Sequence, residues 1–162
     1  MAKSGYSIHT EGSVALSAAT AKSILGVKSG ATTANHGVDL TRFKVSFDGV
    51  TASAVPVLVE ICLCTFGANP PGTNSTSLST PGIVQAYGKL ASTGFSAARN
   101  WTAEPTTISV VDVFWLTPNG GTVFYDWPLG TSYDSPLGEG FVIRCTAPAT
   151  VNVRASMGFE RA

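Results

Sequence analysis

Charge is scarce in this chain. Only 12% of its 162 residues are Asp, Glu, Lys or Arg, and ten acids balance ten bases to a formal net charge of zero. Nucleic-acid binding needs a clustered excess of Lys and Arg to neutralise phosphates. The nearest approach here is Arg42 and Lys44, a pair on one strand face. Histidine is scarcer still, at two residues, and the three cysteines are an odd number that cannot all pair within one chain. Reduced thiols made in a reducing cytoplasm are the simplest expectation. No stretch approaches the ~18 consecutive apolar residues of a membrane helix. The opening MAKSGYSIHTEG has no apolar core of a secretory signal.

Helical periodicity is also scarce, and alternation with period two takes its place. In LTRFKVSF (40–47), Phe43, Val45 and Phe47 fall on one face and Arg42, Lys44 and Ser46 on the other, before an Asp48-Gly49 turn. VPVLVEICLCTF (55–66) is apolar on both faces, as a central strand covered on both sides would be. TTISVVDVFWL (106–116) and TVFYDW (122–127), joined by Pro118-Asn119-Gly120-Gly121, predict a hairpin. IVQAYGKL (83–90), FVIRCTA (141–147) and TVNVRASMGF (150–159) predict further strands, and VALSAATAKSIL (14–25) predicts two short ones around an Ala18–Ala21 turn. The Gly-, Pro- and Ser-rich stretches 67–82 and 128–140 are expected loops, of a length usually tied to function or mobility. About eight strands with turn signals between them point to an all-β antiparallel sandwich. Long loops alternating with short turns favour jelly-roll or Greek-key connections. Residues 1–12 are expected as an N-terminal arm and 13–162 as one sandwich domain.

Catalytic and metal chemistry is hard to assemble from these residues. Cys62 and Cys64 in a strand share a face with Cα atoms about 6.6 Å apart, near the outer limit for a disulfide. Zinc would need further ligands, and Cys145, His9 and His36 show no ligand spacing. The cysteines are expected to be structural. No G-x-S-x-G elbow accompanies the serines, and His36 in TANHGVD fits a loop before a strand. Glu60 shares the Cys62/Cys64 face and is expected to pair with Arg144 or Arg154, since buried charges are normally paired. No enzyme activity, cofactor or metal is expected.

Aromatic side chains in or beside loops are the candidates for binding. Trp101, Trp127 and Tyr133 suit stacking platforms or interface anchors, whereas Trp115, inside a strand, is expected in the core. Arg99, close to Trp101 in ARNW, and Tyr6 in the N-terminal segment complete the candidate interface residues.

The opening SVALSAATAKSILGVKSG with VDLTRFKVSFDG, and the closing SPLGEGFVIRCTAPATVNVRASMGFER, resemble the small jelly-roll head proteins of tailed bacteriophages. Those proteins decorate, or cement, the outside of the capsid. Similar sandwich patterns occur in lectin-like and tumour-necrosis-factor-like folds. The resemblance implies a homotrimer on the surface of the virion, made in the host bacterial cytoplasm, with the major capsid protein as partner. It implies no nucleic-acid or membrane partner. The N-terminal segment and the loops 67–82 and 128–140 would meet its neighbours. The alternative is a carbohydrate- or receptor-binding sandwich module.

Overall fold

The computed structural model describes residues 4–30, 36–48, 54–79, 82–88, 94–128 and 130–161. Within them every helix or strand is a strand. In chain order these are β1 (Gly5–His9), β2 (Val14–Leu16), β3 (Ala21–Ser29), β4 (Val38–Phe47) and β5 (Val57–Thr65). They continue with β6 (Thr76–Ser77), β7 (Val84–Tyr87), β8 (Phe95–Arg99) and β9 (Thr107–Leu116). Finally come β10 (Thr122–Asp126), β11 (Tyr133–Asp134), β12 (Gly140–Thr146) and β13 (Val151–Arg161).

The strands make two antiparallel sheets that pack as a sandwich. A seven-stranded sheet runs β10-β4-β13-β1-β7, with β11 also on β4 and β2 on β13. A six-stranded sheet runs β6-β8-β3-β12-β5-β9. The long strands pair in a nested order, β1 with β13, β3 with β12, β4 with β10 and β5 with β9. First meets last, and the nesting closes on the β5–β9 pair. The expected antiparallel sandwich is therefore the fold. The strand count exceeds eight partly because the expected loops 67–82 and 128–140 carry the short strands β6 and β11, while β7 falls in the strand expected over 83–90.

Alternation decides which side chains fill the space between the sheets. In β4, Phe43 and Val45 are buried while Arg42 and Lys44 are exposed. In β13, Val151, Val153, Ala155, Met157 and Phe159 all point inward by the strand's own alternation. From the other sheet, Val59, Ile61, Phe141 and Ile143 meet them in one continuous core. Burying such side chains stabilises the fold by roughly 1.5–3 kcal/mol each. The 14–25 segment is two strands, as its sequence predicts, and Ala19 takes a left-handed φ of 56° in the turn between them.

Three expectations differ from the structure. The predicted hairpin of 106–116 with 122–127 does not form, because β9 pairs with β5 in one sheet and β10 with β4 in the other. The Pro-Asn-Gly-Gly signal specifies a chain reversal, and the reversal here crosses from sheet to sheet. The expected arm is largely sheet. β1 lies between β13 and β7, with Tyr6 and Ile8 buried by its own alternation, while residues 1–3 lie outside the described residues. Trp115 is exposed and Trp101 is buried, the reverse of the expected assignment. Residue 49 of the Asp48-Gly49 turn, residues 80–81 and 129 of the two expected loops, and residues 89–90 also lie outside the described residues.

Candidate interaction surfaces

β5 is interior to its sheet, so both of its faces need cover. Val57, Val59 and Ile61 face the core between the sheets. Cys62 and Cys64 face outward, buried in a second cluster with Phe66, Ala98, Trp101 and Val142. Trp101 plugs this cluster. Its ring lies 6.2 Å from that of Phe66 and close over Gly26, where an added Cβ would stand 2.9 Å from the indole. The indole N–H donates to the Asn69 carbonyl at 3.1 Å, and the Asn69 amide donates to the Glu104 carbonyl at 2.7 Å. The Glu104 carboxylate then accepts from the Ser23 backbone N–H at 2.7 Å and its hydroxyl at 2.6 Å. The described part of the 67–82 loop is thus fastened through Trp101 and Glu104 to β3.

That setting settles the chemistry of the thiols. Burial pushes the Cys62 thiol up to about 12, a rise that Arg144 opposes and Glu60 and Glu104 reinforce. Burial likewise pushes up Cys64 and Cys145. A nucleophile or metal ligand needs the thiolate, and burial in apolar surroundings disfavours it. All three are free and buried. Among the described residues, no group of three or more His, Cys, Asp and Glu converges as metal ligands. Glu60 pairs with its cross-strand neighbour Arg144, Nε to Oε2 at 2.8 Å, as the sequence predicts. That bond with Glu60 is also what chiefly raises the Arg144 pKa.

The five candidate interface residues separate. Trp101 is sealed under its loop. Tyr6 is buried, stacked on Phe159 at 5.7 Å and edge-on to Phe95 at 5.2 Å. Arg99 is partly buried, 3.9 Å from the Glu11 carboxylate. Only Trp127 and Tyr133 come together, 5.3 Å between ring centroids and half-buried. Trp127 also packs on Phe43 and Tyr125, and Phe43 stacks on Phe114 at 5.6 Å. The Tyr133 hydroxyl donates to the Val111 carbonyl at 3.2 Å. These rings wall off the open side of the sandwich, between β9 and β10.

Outside this wall lies a surface that the candidate residues miss. β9 and β10 are the edge strands on this side of the two sheets. Along the outer face of β9, Val110, Val113 and Trp115 are exposed, while on β10 the exposed Phe124 lies opposite Lys44 on the outer face of the other sheet and Tyr125 lies opposite Phe43. Trp115 also forms one wall of an apolar groove of about 390 Å³, with Val55, Pro56, Leu58, Thr146 and Pro148 among its lining. The sequence TISVVDVFWL is apolar on both faces, a pattern that is buried twice only in an interior strand. At an edge, one face stays open.

Apart from Phe124 at its β10 edge, the outer face of the seven-stranded sheet is polar. A trough of about 260 Å³ is lined by Arg42, Asp39, Asp126, Tyr87, Trp127 and Glu160 among others. Tyr87 donates to the Glu160 carboxylate, and its ring lies over Gly5, where any Cβ would collide with it. Further along the same sheet, His9, Lys44, Ser46, Arg154 and Ser156 line a shallower hollow of about 250 Å³.

No protein-family profile, no curated protein and no solved structure matches this chain.

Proposed function

We propose that this chain is a jelly-roll subunit of a tailed-phage virion, binding as a homotrimer to the outside of the icosahedral capsid and stabilising it. The observation that carries the reading is the exposed apolar outer face of β9, Val110, Val113 and Trp115 with the groove beside it, on an otherwise well-packed sandwich. A contiguous patch of this kind marks a surface that a protein partner covers. The nested strand pairing supports the jelly-roll form, which is two Greek keys folded into a double sheet. Sparse charge and a mean hydropathy of +0.22 suit a subunit that spends its working life in contact with others.

Cementing works by mass action. A protein that binds the assembled lattice and not free coat subunits shifts the assembly equilibrium toward the shell. A trimer adds avidity, since later contacts of one trimer become intramolecular. The test is the heating of shells built from the major capsid protein alone, with and without the purified chain. Added chain is expected to raise the temperature at which shells open. An unchanged opening temperature with the chain in excess sinks the proposal.

The polar trough favours a second reading, a carbohydrate- or receptor-binding module. Tyr87 and Trp127 supply aromatic faces, and Arg42, Asp126 and Glu160 supply the charged hydrogen-bonding groups that orient a polyol. The groove at Trp115 does not suit a sugar, because its lining is almost wholly aliphatic or aromatic.

A further inference from the structure

We infer that the hollow across β4, β13 and β1 is an oxyanion site, fitted to a tetrahedral dianion of the phosphate or sulfate class. The site goes beyond the assembly reading above and does not rest on it. Its residues are brought together by strand register. On the outer face of the seven-stranded sheet, Lys44 of β4 lies opposite Ser156 of β13, and Ser156 lies opposite His9 of β1. Arg154 lies opposite Ser46 in the next row. Directly opposite side chains stand about 5 Å apart at Cβ, and diagonal ones about 7 Å. All five line the hollow of about 250 Å³.

Charge is the first support. The whole chain has ten Lys and Arg, and two of them meet diagonally here. Among the described residues, neither Lys44 nor Arg154 has a carboxylate in contact. Arg154 is steadied by the Ser13 hydroxyl, which accepts from Nε at 3.3 Å and donates to Asp48 at 3.2 Å. Glu11 is the one acid among the lining residues, and its carboxylate is engaged elsewhere. It accepts from the Ser79 N–H at 2.9 Å and lies 3.9 Å from Arg99. Two like charges on neighbouring strands repel, and a dianion between them removes that repulsion.

The direction of the hydrogen bonds is the second support. Glu11 takes a left-handed φ of 57°, and its N–H donates back to His9 Nδ1 at 2.9 Å. A neutral imidazole that accepts at Nδ1 carries its proton on Nε2, so the other ring nitrogen is a donor. Lys44 and Arg154 only donate, and the Ser46 and Ser156 hydroxyls can each donate. All five side chains therefore offer hydrogens, which suits an ion that only accepts. Phosphate and sulfate present oxygens in every direction and carry close to two negative charges at neutral pH, matching the two cations. A carboxylate brings half that charge and two oxygens in one plane.

The experiment is NMR titration of the isotope-labelled full chain with inorganic phosphate at about pH 7.5, where an ordinary imidazole is neutral. Ionic strength is held constant with chloride. Saturable shifts are expected at His9 Nε2 and at the backbone amides of residues 9–12, 44–46 and 154–156. Lys44→Gln and Arg154→Gln, both at exposed positions, are each expected to weaken binding roughly tenfold with unchanged circular dichroism. Lys28→Gln, on the other sheet, is expected to bind as wild type does. Glycerol phosphate separates the sources of the ion. Tighter binding of the ester assigns the oxyanion to a larger ligand, and equal binding assigns it to the free ion. Shifts that grow without saturating, or that fall away from the hollow, overturn the inference. So does a Lys28→Gln variant that loses as much as Lys44→Gln. The His9 signal of the wild type needs no variant, so a misfolded substitution leaves the test intact.

Discussion

Trp101 and Trp115 lie on the same outer face of the six-stranded sheet, one sealed to 1% exposure and the other open at 67%. One indole serves the fold and the other is left exposed. Their substitutions should therefore separate. Trp101→Ala empties the socket over Cys62, Cys64 and Gly26 and is expected to cost about 3–5 kcal/mol. Trp115→Ala in the monomer is expected to change stability by only about 0.5 kcal/mol. Urea unfolding at low protein concentration measures both. Equal losses would contradict the assignment.

The thiols give a second outcome. With all three cysteines buried and their thiolates disfavoured, an aromatic disulfide reagent at mildly alkaline pH should label none of them in the folded chain. Unfolding in guanidinium should release all three. Rapid labelling of one thiol in the native protein would place it in an accessible setting that the sheet does not provide.

The Glu60–Arg144 pair is cross-strand and mostly buried, so removing one partner leaves a charge with poor solvation. Glu60→Ala or Arg144→Ala alone should each cost about 1–3 kcal/mol, less than a fully buried pair would. The double variant should lose less than the sum of the two. Strict additivity would mean that the 2.8 Å contact contributes nothing of its own.

His36 makes stability depend on pH. Burial lowers its pKa below 6.5, the nearby Arg161 lowers it further, and its contact with the Gly37 carbonyl opposes both. The unfolded chain therefore takes up a proton that the folded chain resists. The stability contribution is fully present above about pH 6.5 and declines as pH falls through that value toward the lower folded pKa. The urea midpoint is expected to drop between about pH 7.5 and pH 5.5, and to drop less in His36→Gln.

The carbohydrate reading has its own outcome. If the trough holds a sugar, Trp127→Ala abolishes the heat of glycan binding while Trp115→Ser leaves it intact. If the trough holds none, titration with glycans gives no heat for any version of the chain.

Fold class was legible in the sequence because alternation reports directly on which face of a strand is buried. Phe43 against Arg42 and Val153 against Arg154 are examples that the structure repeats residue for residue. That Glu60 pairs with an arginine was legible too, since a carboxylate on an apolar strand face needs a cation across from it, although the sequence left Arg144 and Arg154 both open. What alternation does not carry is a strand's neighbours. TISVVDVFWL looks interior by composition, yet it is the last strand of its sheet, and this places Trp115 in the open. Trp101 fails for the complementary reason. It sits in a polar loop, and nothing local shows that this loop folds back over an apolar patch of sheet.

The central claim is that the chain is a stoichiometric component of a capsid surface. The most direct measurement is its copy number in virions purified from its source, relative to the major capsid protein, by quantitative mass spectrometry. A number in the hundreds, at or below that of the coat, is the predicted result. A handful of copies would move the chain to a tail or receptor-binding role, and its absence from virions would contradict the account.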